Sequence, residues 1–268
     1  PMLRAGWEAT AGKRGADRME DRHVVCSRAG VTLAAVFDGH GGDAAAEYCR
    51  LHLSTFVLSH WRDSLNGGES GGEPAAAASM AASVLRSSFN SLHEGFLAGS
   101  SADDSGCTAL VAIYAADMLT IANAGDCQCH LWRGSELLRL TNEHTAALPS
   151  ERARVEAAGA SVSTTSDGKL RAGGIIQVTR CIGDKPLRHL GLTSEPETHI
   201  LPRTAEDKAI VMASDGLWDV MSSERVLHCL NNTALSPDLI AKRLLTEALD
   251  RGTDDNTTVV VVFLRELT

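Results

Sequence analysis

With 268 residues, 44% of them hydrophobic, the chain is long enough for one large domain with a proper core, and no apolar run approaches membrane-spanning length. Aromatic residues make up only 4%, so that core must be built largely from Ala, Val, Leu and Ile. A formal net charge of -9 disfavours nonspecific attachment to nucleic acid or an anionic membrane, yet permits a phosphorylated substrate if bound cations reverse the local field.

The opening segment from Gly6 to His23 is polar and ends in Arg18-Met19-Glu20-Asp21-Arg22. Val24-Val25-Cys26 and Val31 to Phe37 read as strands joined by a turn at Arg28-Ala29-Gly30. The second strand runs into Asp38-Gly39-His40-Gly41-Gly42, which sets a carboxylate and an imidazole at the mouth of a glycine-rich turn. For Val36 to Gly42 read alone, a plain turn capping a helix that begins near Asp43 is the alternative reading. Asp43 to Trp61 and Ala75 to Leu97 predict two long helices, the second with Met80, Val84, Leu85, Phe89, Leu92 and Phe96 at core-like spacing. Between them, Asp63 to Pro74 reads as an exposed loop.

After the break at Gly99 to Ser105, strands are predicted at Cys107 to Tyr114, Met118 to Ala124, Cys127 to Trp132 and Glu136 to Leu140, with Gly125-Asp126 at a strand end. Ser150 to Ala158 suits a short helix with Ser150 as its cap. Gly159 to Gly174 is polar and reads either as a segment over a binding site or as an ordinary surface excursion. Ile175 to Val178 restores a strand, followed by Arg180 and Lys185, which are either solvated or within reach of phosphate. Ala209 to Ala213 predicts a buried strand ending in Ser214-Asp215-Gly216, and Asp215 and Asp219 share a face if a helical turn begins there. Helices follow at Val226 to Leu230 and Leu239 to Leu249, and Asp254-Asp255-Asn256 introduces a last strand from Thr257 to Leu264.

Seven cysteines without regular spacing, Cys127 and Cys129 alternating as on one strand face, point to reduced thiols. An intracellular protein is expected, cytosolic first, with the nucleus and organelles left open. Acidic residues recur at strand ends: Glu20-Asp21, Asp38, Asp126, Asp215 with Asp219, and Asp254-Asp255. Carboxylates gathered in one place repel and need cations, and oxygen ligands favour hard ions such as Mg or Mn over Zn.

Taken together, Met19-Glu20-Asp21, Val36 to Gly42, Ser105 to Ala109, Ala122 to Asp126, Val178-Thr179-Arg180 with Ile182-Gly183-Asp184, Glu195-Pro196, Ala213 to Asp219 and Asp255-Asn256-Thr257 resemble a metal-dependent Ser/Thr protein phosphatase of the PPM or PP2C family. The resemblance runs from Glu20 to Asn256 and implies an α+β fold, an αββα four-layer sandwich with two central antiparallel sheets flanked by helices. It implies a single catalytic domain over 1–268, monomeric and without membrane insertion, with a flap-like segment around 145–174. By the same resemblance, Asp38 would bridge two Mg or Mn ions; Glu20 and the Gly39 carbonyl would hold one, Asp215 and Asp255 the other. Asp21 would orient water, Asp126 and Asp219 with Asp215 would form a weaker third site, and His40 would be the general acid. The implied reaction is attack of a metal-activated water on phosphoserine or phosphothreonine in a protein substrate, without a covalent phosphoenzyme.

The chain also departs from the family pattern. Ala16 stands where a phosphate-binding arginine is usual, four residues before Glu20, which leaves Arg14 and Arg18 as the candidates to take its place. Cys107, Gln128 and Glu143 also differ from the residues usual in their blocks, and the Gly159 to Gly174 segment lacks Trp. The substitution at Ala16 keeps open a pseudophosphatase, a fold retained as a protein-interaction module. A small-phosphomonoester hydrolase is the more distant reading.

Overall fold

A computed structural model describes residues 3–15, 18–28, 30–66, 74–99 and 104–267, with the backbone alone at 62–66 and 74. In chain order the first half comprises strands β1 (Ala5–Thr10), β2 (Arg22–Arg28), β3 (Val31–Phe37) and β4 (Gly39–His40), then helices α1 (Ala44–Asn66) and α2 (Pro74–Ala98). Strands β5 (Gly106–Cys107), β6 (Ala109–Ala115), β7 (Met118–Ala124), β8 (Gln128–Arg133) and β9 (Glu136–Arg139) follow, then α3 (Pro149–Ala157) and the strand pair β10 (Val162–Thr164) and β11 (Leu170–Ala172). The remainder is β12 (Ile182–Gly183), β13 (Glu197–Pro202), β14 (Asp207–Ala213), α4 (Asp215–Trp218), α5 (Ser223–Asn231), α6 (Pro237–Asp250) and β15 (Thr257–Phe263).

Two five-stranded antiparallel sheets, ordered β13-β7-β6-β3-β2 and β1-β15-β14-β8-β9, form the centre. The inner strands β3, β6, β14 and β15 read as mostly apolar runs because both their faces are buried, and the period of two sorts the residues. In β3, Leu33, Ala35 and Phe37 face α1 and α2, while Ala34 and Val36 face the other sheet. In β14 and β15, Val211, Ala213, Val259 and Val261 face α5 and α6, while Ile210, Met212, Val260 and Val262 fill the space between the sheets. Each Val, Leu, Ile, Met or Phe among them contributes about 1.5–3 kcal/mol on burial, the alanines less. The result is the four-layer αββα sandwich that the resemblance implies, and Cys127 and Cys129 share its inter-sheet face.

Several boundaries differ from the sequence reading. α1 continues through Asp63 to Asn66, and residues 67–73 of the expected loop lie outside the described residues, as does Ala29 of the first turn. The Cys107–Tyr114 run splits into β5 and β6, because Thr108 turns away to bind Asp38. Ser150 does not cap α3: Pro149 takes the first helical position, where its missing N–H costs nothing, and Leu148 becomes the cap residue. Ile175 to Val178 is no strand either, since it makes only isolated bridges at Ile176 and Val178 and leaves Ile175 60% exposed. Around it the flap segment carries the β10–β11 hairpin and a small core of its own, with Val155, Ala172, Ile176, Val178 and Leu190.

Candidate metal centre

Strand registers put the acidic positions on one edge of the sandwich. Phe37 at the end of β3 pairs with Arg22 at the start of β2, so Glu20 and Asp21 enter beside Asp38. In the other sheet, Ala213 at the end of β14 pairs with both Val259 and Gln128, so Asp215, Asp255 and Asp126 arrive on neighbouring strands. The Gly125-Asp126 link passes from β7 in one sheet to β8 in the other, which makes the two edges coincide. Gly39 is required for close approach, since a Cβ there would stand 2.5 Å from the Glu20 carbonyl oxygen.

Arg14, Asp38, Gly39, His40, Asp126, Asp215 and Asp255 line a cleft of about 420 Å³, together with Lys169 and Asp184. Glu20 faces an adjoining depression shared with Arg14 and Arg18, and Asp21 lies behind, 2% exposed. Asp219 ends the α4 turn, its N–H donating to the Asp215 carbonyl at 2.8 Å, so the two share that turn as the spacing predicts. Ala16 lies outside the described residues. Of the two candidate phosphate ligands, Arg14 borders the cleft and Arg18 borders only the depression beside it.

Hydrogen bonds fix these groups from behind. The Asp38 N–H donates to Thr108 Oγ1 at 3.2 Å, and its carbonyl accepts from the Thr108 N–H at 2.9 Å. Glu20 Oε1 accepts from the Gly42 N–H at 2.7 Å, and Asn256 Oδ1 accepts from the Glu20 N–H at 2.7 Å. The Ser214 hydroxyl donates to Asp21 Oδ2 at 2.8 Å, while Asp21 Oδ1 is buried without a partner. Arg14 Nη2 stands 2.8 Å from Asp255 Oδ2, Lys169 Nζ 3.3 Å from Asp219 Oδ2, and His40 Nε2 2.8 Å from Asp184 Oδ2. Among the described residues, no three His, Cys, Asp or Glu side chains already close around one point.

The electrostatics of the cleft are those of crowded acids. Burial first, and then the charges of Asp21, Asp215, Asp126 and Asp255, hold the Asp38 carboxyl well above the usual carboxylate range. Burial likewise pushes Asp126 up to about 8, with Asp215 adding to it, and Asp215 up to about 6, with Asp255 and Asp219 adding. Asp21 rises to about 7, again chiefly by burial, against the hydrogen bond from Ser214. For His40, burial disfavours the imidazolium, but the Asp184 hydrogen bond and the surrounding negative charge prevail and raise its pKa.

The convergence therefore includes every acidic position singled out from the sequence except Asp254, whose ion pair is with exposed Lys13. Arg180 plays neither part foreseen for it: its guanidinium binds Glu151 at 2.8 Å and the Glu195 carbonyl at 3.0 Å. Gln128 and Glu143, two of the departures, bond to each other at 3.1 Å. Sequence reasoning gave no role to Thr108, Ser214, Lys169 or Asp184. Only Asp184 carried a usable signal, an acid after Gly at the end of a short apolar run, as at Gly125-Asp126.

Residues 6–257 match the model of the family described as Protein phosphatase 2C. The chain belongs to that family. Among PP2C relatives, a "Protein kinase and PP2C-like domain-containing protein" of Arabidopsis thaliana is 36% identical over 99% of this chain, which spans 40% of that relative's length. "Probable protein phosphatase 2C 69" of the same plant is 33% identical over 96% of the chain and 69% of its own length. In fold, the chain is similar to the solved serine-threonine phosphatase 2C of Toxoplasma gondii, with a TM-score of 0.87, 22% identity, and coverage of 99% of this chain and 96% of that one. The PP2C fold and the αββα architecture thus agree.

Proposed function

We propose that residues 1–268 form a single catalytic domain that hydrolyses phosphoserine and phosphothreonine in proteins, using divalent metal ions and water without a covalent phosphoenzyme. The observation that carries this reading is that Asp38, Asp126, Asp215 and Asp255 line one cleft with His40 and Arg14. The residues suit hard cations. They offer oxygen donors only, they raise one another's pKa in the absence of positive charge, and Asp21 holds a buried oxygen with no partner.

In this reading Asp38 would help hold two Mg or Mn ions, one together with Glu20 and the Gly39 carbonyl, the other together with Asp215 and Asp255. Asp126, Asp215 and Asp219 make a weaker third. When bound, the ions supply an acidified water and positive charge for the phosphoryl oxygens. Asp21, fixed by Ser214, would orient the water from behind Asp38. Arg14, rather than Arg18, binds substrate phosphate, swinging from Asp255 to a bidentate contact. His40 protonates the departing serine or threonine alkoxide.

Seven free thiols accord with a reducing, intracellular setting, and among the described residues no helix is long and apolar enough to cross a membrane. The interaction-module alternative draws on Ala16 alone, and the arginine bordering the cleft weighs against it. The purified domain should release phosphate from a phosphothreonine peptide with Mn or Mg and stop on chelation. Folded protein that stays inert through a full metal titration would instead identify a binding module.

A further inference from the structure

His40 and Asp184 are 144 residues apart in the chain, yet they meet over a single glycine. The three-stranded sheet β12-β5-β4 has Gly106 at its centre, paired with His40 on one side and Gly183 on the other. A Cβ on Gly106 would stand 2.0 Å from Asp184 Oδ2 and 2.5 Å from His40 Nε2. Only glycine leaves the gap in which the carboxylate and the imidazole touch.

The Asp184 backbone is built for that contact. It adopts the left-handed region at φ 53°, ψ 44°, an arrangement that is unfavourable for a non-glycine residue. Its N–H donates to the Ser105 carbonyl at 3.0 Å, and its own carbonyl accepts from the Leu187 N–H at 3.0 Å. Its side chain is 3% exposed, whereas that of His40 is 33% exposed and borders the cleft. A carboxylate so deeply placed needs a donor, and His40 Nε2 at 2.8 Å is that donor. The second ring nitrogen, Nδ1, makes no hydrogen bond among the described residues.

We propose that Asp184 is a positioning residue for His40: by accepting the Nε2–H it fixes ring and tautomer, and leaves Nδ1 as the atom that hands a proton to the substrate. This rests on the phosphatase reading, in which His40 protonates the leaving alkoxide. In the step itself a water oxygen bonds to phosphorus as the P–O bond to the serine or threonine oxygen breaks; that oxygen keeps the bonding pair and takes the Nδ1 proton of the imidazolium. The electron pair of the N–H bond stays on the ring, and Nε2–H remains on Asp184 throughout.

The test compares Asp184→Asn, nearly isosteric and suited to the left-handed backbone, with wild type on a phosphothreonine peptide and on p-nitrophenyl phosphate. The aryl leaving group departs without a proton. The account expects kcat on the peptide to fall about 10- to 100-fold with KM little changed, and a much smaller loss on the aryl ester. It also expects His40→Ala/Asp184→Asn to be no worse than His40→Ala alone. Equal losses on both substrates, or additive losses in the double variant, would show that Asp184 merely supports the fold. Nitrogen-15 spectra of wild-type histidine side chains provide a second measurement that needs neither turnover nor a variant. At a pH where the ring is neutral, His40 protonated at Nε2 supports the assignment, and the neutral ring protonated at Nδ1 instead overturns it. An inert wild-type protein with the Nε2–H tautomer would remove the phosphatase reading and leave the His40–Asp184 geometry standing.

Discussion

Arg14 Nη2 lies 2.8 Å from Asp255 Oδ2 and Nη1 lies 3.7 Å from Glu20 Oε2, so one guanidinium spans two carboxylates at the rim of the cleft. Both sides of the Asp255 pair are part-exposed, so the contact contributes under about 1 kcal/mol and is readily exchanged for phosphate. Arg14→Ala should therefore raise KM for a phosphopeptide about 10-fold or more with a smaller change in kcat, while Arg18→Ala should change neither much. Steady-state kinetics on the two variants checks this. A KM effect confined to Arg18→Ala would reassign the phosphate contact.

The crowded acids make stability depend on pH in a direction that can be worked out. Asp215, Asp21 and Asp126 are raised to about 6, 7 and 8. A group raised on folding contributes stability below its unfolded pKa, and that contribution is lost as pH rises through the folded value. Chelated protein should accordingly lose Tm between about pH 5 and pH 8, and Mn or Mg should restore most of the loss at the upper end. Thermal melts at several pH values, with and without metal, read this out; a Tm of the chelated protein that is flat or rises over that range contradicts it.

Glu151 behaves in the opposite sense. Burial opposes its charge, but hydrogen bonds from Arg180, Arg154 and Thr179 prevail and lower its pKa to about 2. Its contribution is present above the unfolded value near 4.5 and is lost as pH falls toward 2. Because its side chain is 3% exposed and holds two arginines, Glu151→Gln should cost about 3 kcal/mol in urea melts at neutral pH. A cost below about 0.5 kcal/mol would mean that the pair is not holding the flap base to the sandwich.

Much of this was legible in the sequence for a physical reason. Strands buried on both faces leave mostly apolar runs, so Val31–Phe37 and Met118–Ala124 were readable to the residue, and acids at their ends marked the site edge. Contacts made by long-range register leave no such trace. Nothing local joins His40 to Asp184 or Lys169 to Asp219, because those pairings depend on where β12 and the β10–β11 hairpin dock. Ile175 to Val178 misled because its apolar side chains serve a small core under the flap and the cleft wall, not a sheet.

Lys169 extends from that hairpin to Asp219, and its pKa, lowered by burial, is raised on balance by Asp219, Asp215 and Asp126. The ammonium thus competes for the carboxylates of the proposed weaker site. Lys169→Ala should tighten the weakest Mn binding step about 3- to 10-fold by calorimetry and leave the tighter steps nearly unchanged. Weaker binding at that step would point to a lysine that supports the ion instead.

The central claim is that carboxylates from both sheets share divalent ions, and anomalous scattering from manganese-soaked crystals measures it most directly. The account predicts two strong peaks flanking Asp38, one toward Glu20 and the Gly39 carbonyl and the other toward Asp215 and Asp255. A map with no peak in contact with Asp38, from crystals of active protein, would contradict it.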